Sequence, residues 1–268
     1  MMIALYITLT VILTIVLLYL LILVRPNSKL PENKNLLHDY AHRGLHGKKV
    51  PENSLQAFLL ACDRNFGIEL DVQLSADSEV MVFHDYSLKR MTGVDKRLSD
   101  LTVSELQSLS LVGTDQKIPT LKEVLELVDG KVPILVELKG ESLDASLCPK
   151  VAEILKAYKG DYCIESFNPF LIKTMRKYLP NVFYGQLYTN VCRDKKKYSL
   201  LNILLTLMAF NSLTKINFIA YNKLDRNSFA VKLTTKLYRS PKFVWTPNTR
   251  AEIDTAHSLG EYPIFEIK

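Results

Sequence analysis

The chain has 268 residues, 23% of them charged and 48% hydrophobic, which excludes a disordered or fibrous protein and leaves room for one large barrel or two small domains. A net charge of +6 and an isoelectric point near 9.0 draw it toward anions. The basic residues are dispersed and no nucleic-acid module is visible, so phosphate-bearing substrates and lipid headgroups are expected as partners rather than nucleic acid.

Residues 1–24 carry no charged side chain and are dominated by Leu, Ile and Val. Roughly 20 apolar helical residues cross a bilayer, so this stretch is expected to be a single-pass transmembrane anchor. A cleaved leader would want a basic opening and a small-residue cleavage site, and neither is present. Arg25, Lys29 and Lys34 follow the anchor while no Lys or Arg precedes it. The positive-inside rule then puts the remaining chain on the cytoplasmic side of the membrane. Residues 25–36, polar and containing Pro26 and Pro31, are expected to be a juxtamembrane linker, and 37–268 one domain.

Within that domain, strand-like runs alternate with amphipathic helical stretches. Candidate strands are Leu37–Ala41, Ile68–Val72, Val80–His84, Val132–Leu138, Tyr162–Phe167, Val182–Leu187, Phe218–Ala220, Phe243–Trp245 and Pro263–Ile267. Candidate helices are Ser54–Asn65, Ser146–Tyr158, Pro169–Tyr178, Ser228–Tyr238 and Thr249–Leu259. The alternation predicts an α/β protein, a TIM-type (β/α)8 barrel. Nine strand candidates for eight places make it slightly irregular: the turn at Asp77-Ser78 is too short for a crossover helix and suits an antiparallel hairpin. Residues 86–116, with one helical run at Val103–Leu109, read as an insertion at the barrel mouth. The four cysteines, Cys62, Cys148, Cys163 and Cys192, lack C-x-x-C spacing and are expected to be reduced, which suits a cytoplasmic face.

Side chains alternate across a strand, so Glu69, Asp71 and Gln73 share one face of their strand, and Glu137 and Lys139 share one face of another. In a barrel that face points inward, near the active-site end. Three carboxylates in a confined interior cost several kcal/mol per uncompensated ion, a cost that a cation removes. All-oxygen ligands select a hard ion, calcium or magnesium, over zinc. Internal salt bridges to Lys139 and Arg43 would also offset it. His42 and His84 each end a strand and precede a charged residue, and an ordinary pKa of about 6.5 suits proton transfer near neutrality. His38, His46 and His257 lack such a setting.

The string His42-Arg43-Gly44, Pro51-Glu52-Asn53-Ser54, Glu69-x-Asp71, His84-Asp85 and Glu137-x-Lys139 resembles the glycerophosphodiester phosphodiesterase family, as do Ser166-Phe167 and Trp245-Thr246-Pro247-Asn248. The resemblance implies a TIM barrel, a divalent metal (Ca2+ or Mg2+) on Glu69, Asp71 and Glu137, and acid–base catalysis by His42 and His84. It further implies that one histidine deprotonates the glycerol 2-hydroxyl, which attacks phosphorus, and that the other protonates the departing alkoxide. Water then opens the cyclic phosphate. Arg43 and Lys139 would hold the phosphoryl oxygens. Glu52 and Asn53 either order the first loop or touch the metal, Trp245 is a supporting residue, and Ser54 also suits a helix N-cap.

Two departures stand out. The family often has a Thr-Asp-x-Pro-like segment after its last strand, where this chain has Phe265-Glu266-Ile267-Lys268; Glu266 is a candidate substitute. Residues 190–217 form a basic and apolar helical insertion, with Arg193 and Lys195–Lys197 ahead of Leu200–Phe210. That stretch is apolar most of the way round a helix, so it is expected to rest in the membrane interface, on a protein partner, or as an ordinary outer helix. The expected reaction is hydrolysis of a glycerophosphodiester to glycerol phosphate and an alcohol. A lysophospholipase D-type or phospholipase-type attack on membrane lipid is the enzymatic rival, and a non-catalytic scaffold barrel the alternative of another class.

Overall fold

The structure is a computed structural model that describes residues 1–140 and 143–267. Nine strands form one sheet: β1 (Tyr40–Ala41), β2 (Gly67–Leu74), β3 (Val80–Val82), β4 (Ile134–Leu138), β5 (Tyr162–Ser166), β6 (Tyr184–Tyr188), β7 (Phe218–Asn222), β8 (Lys242–Trp245) and β9 (Tyr262–Phe265). All neighbours pair in parallel except β2 and β3, and β1 pairs with both β9 and β2, closing an eight-stranded parallel barrel. The ninth strand candidate is therefore a hairpin arm. With Asp77 and Ser78 in its turn, β3 runs back along β2 and lies outside the closure.

The helices are α1 (Met2–Leu18), α2 (Leu55–Asp63), α3 (Lys89–Thr92), α4 (Val103–Ser108), α5 (Leu121–Val128), α6 (Leu147–Ala157), α7 (Pro169–Tyr178), α8 (Val191–Lys195), α9 (Leu200–Thr206), α10 (Asn211–Thr214), α11 (Phe229–Lys232) and α12 (Arg250–Ser258). Side-chain caps start many of them: Ser54 Oγ accepts from Ala57 N for α2, and Thr120 with Glu123 forms a capping box for α5. No helix was expected at α5, although the Thr-x-x-Glu signal stands in the sequence.

The strand alternation sorts the core into two shells. Ile68, Leu70, Val72, Ile134 and Val136 face outward beneath the helices. Tyr40, Leu135, Cys163, Phe218, Phe243 and Ile264 fill the lower barrel interior. Gly185 belongs to that inner fit, because a Cβ there would stand 2.1 Å from the Phe218 ring. Above this apolar plug the inward positions turn polar, so the plug is the floor of the site.

Two expectations are adjusted. The first barrel strand is only Tyr40–Ala41, and a short 3-10 turn at Lys34–Leu36 takes the preceding residues. The run Leu200–Phe210 is not one helix: α9 ends at Thr206, and Met208 takes a positive φ before α10. Asn202, its polar residue, is buried with its amide on Lys197 O, whereas Leu200 and Leu201 point outward.

The 22-residue apolar helix Met2–Leu23 is long enough to cross a membrane. All four cysteines are free thiols.

Candidate active site

The mouth of the barrel gathers residues from β1, β2, β4 and β5 and from the loops that follow them. One carboxylate oxygen each from Glu69, Asp71 and Glu137 falls within a single 4.8 Å cluster, and all three residues are buried. Lys139 Nζ lies 2.9 Å from Asp71 Oδ1 and 2.8 Å from Glu137 Oε1. Glu69 Oε2 accepts the Arg43 backbone N–H at 2.9 Å, and Asn53 Nδ2 donates to Asp71 Oδ2 at 2.8 Å. Arg43 itself reaches Glu52 Oε1 at 2.7 Å and approaches Asp71 Oδ2 at 3.5 Å. These contacts require a sharp loop after β1, and Gly44 provides it with φ +79°. A Cβ at Gly44 would sit 2.9 Å from Ala57 and Phe58.

Electrostatics divide the carboxylates. Burial lifts Glu69 well above the ordinary range, and Asp71 and Glu137 beside it lift it further. Burial likewise raises Glu137 against the pull of Lys139. Asp71 is held low, because Lys139, His84, Arg43 and Asn53 outweigh its burial. Lys139 is raised in turn, its own burial overcome by Asp71 and Glu137. Two carboxyls pushed toward neutrality beside a third are the signature of excess negative charge.

The divalent metal implied by the sequence resemblance can be tested against this set. The donors are all oxygen, they converge, and the buried Asn53 Oδ1 beside them has no protein partner. The residues present fit a hard cation.

Both histidines are fixed at Nδ1 by a carboxylate. His84 Nδ1 lies 2.6 Å from Asp85 Oδ1, and His42 Nδ1 lies 3.2 Å from Glu266 Oε2. Carboxylates only accept, so each Nδ1–H donates and Nε2 is left as the basic nitrogen. Burial lowers the His84 pKa below its ordinary value despite the nearby Asp71 carboxylate. The loop carrying His84 is held by Gln73, whose amide donates to the carbonyls of Phe83, His84 and Asp85 at 2.8, 3.1 and 3.0 Å. Trp245 Nε1 donates to Ala220 O at 3.0 Å, and its indole meets Phe167 edge-on at 5.6 Å.

The structure thus brings the sequence-expected residues to one mouth, with Glu52 and Asn53 bonded to Arg43 and Asp71. It also adds residues the sequence reading passed over. Glu165 pairs in register with Glu137, is buried, and leaves Oε2 without a partner. Burial, together with Glu69, Glu137 and Asp71, keeps its carboxyl well above the ordinary range. Its inward position was readable from the alternation Cys163–Glu165. Arg90, from the 86–116 segment, bridges Glu52 and Asp85 at 2.7 and 2.6 Å. His46 groups with His42 and Glu266. No local signal in the sequence announces Arg90 or His46.

A barrel whose mouth joins buried carboxylates, two cations and two carboxylate-fixed histidines is an enzyme's site rather than a packing solution. Residues 42–265 match the glycerophosphoryl diester phosphodiesterase family. A solved glycerophosphodiester phosphodiesterase from Thermotoga maritima is 30% identical, with a TM-score of 0.64 over 85% of this chain and 92% of that one. An Oleispira antarctica phosphodiesterase, solved in complex with the product sn-glycerol-3-phosphate, shares the fold at 23% identity, with a TM-score of 0.70 over 85% and 92% of the two chains. A lysophospholipase D from Rattus norvegicus is 36% identical over 135 residues, 46% of this chain and 42% of that protein. The chain belongs to the glycerophosphoryl diester phosphodiesterase family and is an enzyme of that activity.

Proposed function

We propose that His42 and His84 carry the protons in hydrolysis of a glycerophosphodiester to glycerol phosphate and an alcohol. The observation that carries this reading is the mouth itself: three converging carboxylates with both histidines presenting a basic Nε2. One histidine takes the proton of the glycerol 2-hydroxyl as its oxygen attacks phosphorus. The other protonates the leaving alkoxide, and water then opens the cyclic phosphate by the reverse exchange. Glu69, Asp71 and Glu137 would hold the divalent metal, either calcium or magnesium, which when bound supplies positive charge against the phosphoryl oxygens. Arg43 and Lys139 orient those oxygens, Glu52 and Asn53 brace Arg43 and Asp71, and Trp245 walls the mouth.

The test is a panel of glycerophosphodiesters with calcium, with magnesium and with chelator. His42→Ala and His84→Ala are each expected to lose about 10²–10⁴ in kcat. An unmutated protein that turns over nothing with either ion sinks the reading.

A second reading, that the substrate is a lysophospholipid in a membrane, is supported by the spanning-length helix and by the outward Leu200 and Leu201. Residues 1–24 act as a retained anchor in this reading, with the barrel cytoplasmic on account of Arg25, Lys29 and Lys34. Retention is supported by Val24, which is fully buried in the main core. Recovery from membranes of a protein beginning after Val24 would refute the anchor.

A further inference from the structure

The end of the apolar helix is bolted to the barrel, and the order of its attachments gives the barrel a direction. The Tyr19 hydroxyl donates to Leu207 O at 2.8 Å, and its ring stacks on Phe229 at 6.3 Å. The Tyr238 hydroxyl donates to Leu20 O. Val24 O accepts from Asn211 Nδ2 at 2.9 Å. Asn27 N then donates to Ile216 O at 2.8 Å, and Ser28 Oγ bonds Ser240 Oγ at 2.8 Å. Ile216 and Ser240 immediately precede β7 and β8, which is the barrel base. Phe229 opens the helix that follows β7, on the mouth side. The chain therefore descends the outer wall from mouth to base between Tyr19 and Ser28. Leu18 and Tyr19 are both in regular right-handed helical geometry, so α1 continues the same line in the opposite sense. Its 17 residues, all exposed, extend about 26 Å from Tyr19 in that direction.

The rim on that side is apolar and basic. Leu224, 76% exposed, sits in the 3-10 turn directly after β7. Leu200 is 74% exposed and Tyr198 is 78% exposed, with Leu201 and Phe229 also outward. Asp225 accepts from Asn190 N and Arg193 Nη1, tying the loops after β6 and β7 into one edge. Lys195, Lys196 and Lys197 are exposed on the same edge, and no ion pair among the described residues takes them up.

We infer that the barrel opens toward the bilayer, its mouth rim seated in an anionic lipid surface, so that the phosphodiester it meets is at headgroup depth. This rests on the reading of α1 as a retained span. A rim continuous with a spanning helix has lipid as its neighbour, apolar residues insert into the headgroup boundary, and lysines complement anionic lipid. A free tether would allow the mouth any orientation; the bonds from Tyr19 to Ser28 allow one.

Full-length protein is reconstituted in nanodiscs of phosphatidylglycerol with brominated phosphatidylcholine, which quenches nearby tryptophan. The native chain has one tryptophan, Trp245, as a common background. Leu201→Trp and Leu224→Trp place a reporter on the rim, and Leu237→Trp places one near the base, where the residue is 58% exposed. The rim reporters are expected to be quenched and the base reporter to match the background. Quenching at Leu237→Trp equal to the rim, or none at the rim as a covering protein partner would give, overturns the inference. In a second arm, Leu201→Ser/Leu224→Ser is compared on lysophosphatidylcholine in nanodiscs and on soluble glycerophosphocholine. A loss of about tenfold is expected on the bilayer substrate alone. Equal loss on both substrates counts against the rim. If the unmutated protein cleaves neither, the catalytic reading falls and the quenching pattern alone decides the orientation.

Discussion

Glu52 shows how one side chain holds the first loop of the mouth. It takes Arg43 and Arg90 together, and although burial works to raise its pKa, those two guanidinium partners bring it down to about 2. A folded-state value below the ordinary 4.5 means that its stabilisation is complete above pH 4.5 and drains away as pH falls toward 2. Glu52→Gln is expected to cost about 1–3 kcal/mol at pH 7, because Arg43 and Arg90 lose the carboxylate charge and one of its two acceptor oxygens. It should also flatten the acid limb of stability in that window, readable by urea unfolding across pH. Gly44→Ala is a sharper test of the same loop: positive φ and contacts of 2.9 Å leave no room for a methyl group. A loss of at least about 1 kcal/mol is expected, with activity falling as Arg43 shifts.

At the level of the element, the loop after β3 owes its position to a residue on β2. Gln73 binds three successive carbonyls of that loop, so Gln73→Leu leaves them unanswered and lets His84 drift. Displacement of a proton carrier by about 1 Å costs on the order of 10²-fold in rate, so kcat should fall steeply while KM changes little. The pH profile of kcat separates this from simple unfolding: loss of active enzyme leaves both the profile and KM unchanged, whereas a displaced His84 shifts the profile. The α5 capping box offers a control, because the Thr120 and Glu123 side chains bond each other and bond none of the described site residues. Thr120→Ala should cost about 1 kcal/mol and leave kcat alone, read from the urea midpoint.

The whole molecule couples the site, the barrel and the apolar N-terminal helix. Four buried carboxyls, Glu69, Asp71, Glu137 and Glu165, crowd the barrel mouth, and a bound cation is expected to relieve that crowding. Calcium or magnesium at about 100 times its Kd should therefore add about 2.7 kcal/mol of stability, seen as a raised Tm that chelator reverses. The apolar helix is coupled through its last turn. Removing residues 1–18 strips only exposed residues, whereas removal through Val24 takes a fully buried side chain and the carbonyl that Asn211 binds. The second truncation alone should lower the Tm.

Much of this protein was readable before its structure. Alternation within Ile68–Gln73 and Ile134–Lys139 put the acidic residues on one face because a strand's side chains have a period of two, a local property. The helix of spanning length likewise follows from composition over one continuous stretch. Other features depend on where distant segments meet. Arg90 reaches Glu52 across 38 residues, and Glu266 reaches His42 across 224, so nothing local predicts either pairing. The segment after the span reads as a polar linker, yet Asn27 and Ser28 are tied to the barrel base, because their partners, Ile216 and Ser240, come near only when the barrel closes. By itself the sequence determined the barrel's period, its acidic inner face, its two strand-end histidines and its apolar helix. The tertiary structure alone decided which groups fix the histidines and which way the mouth lies relative to the apolar helix, since both are relations between segments that share no local pattern.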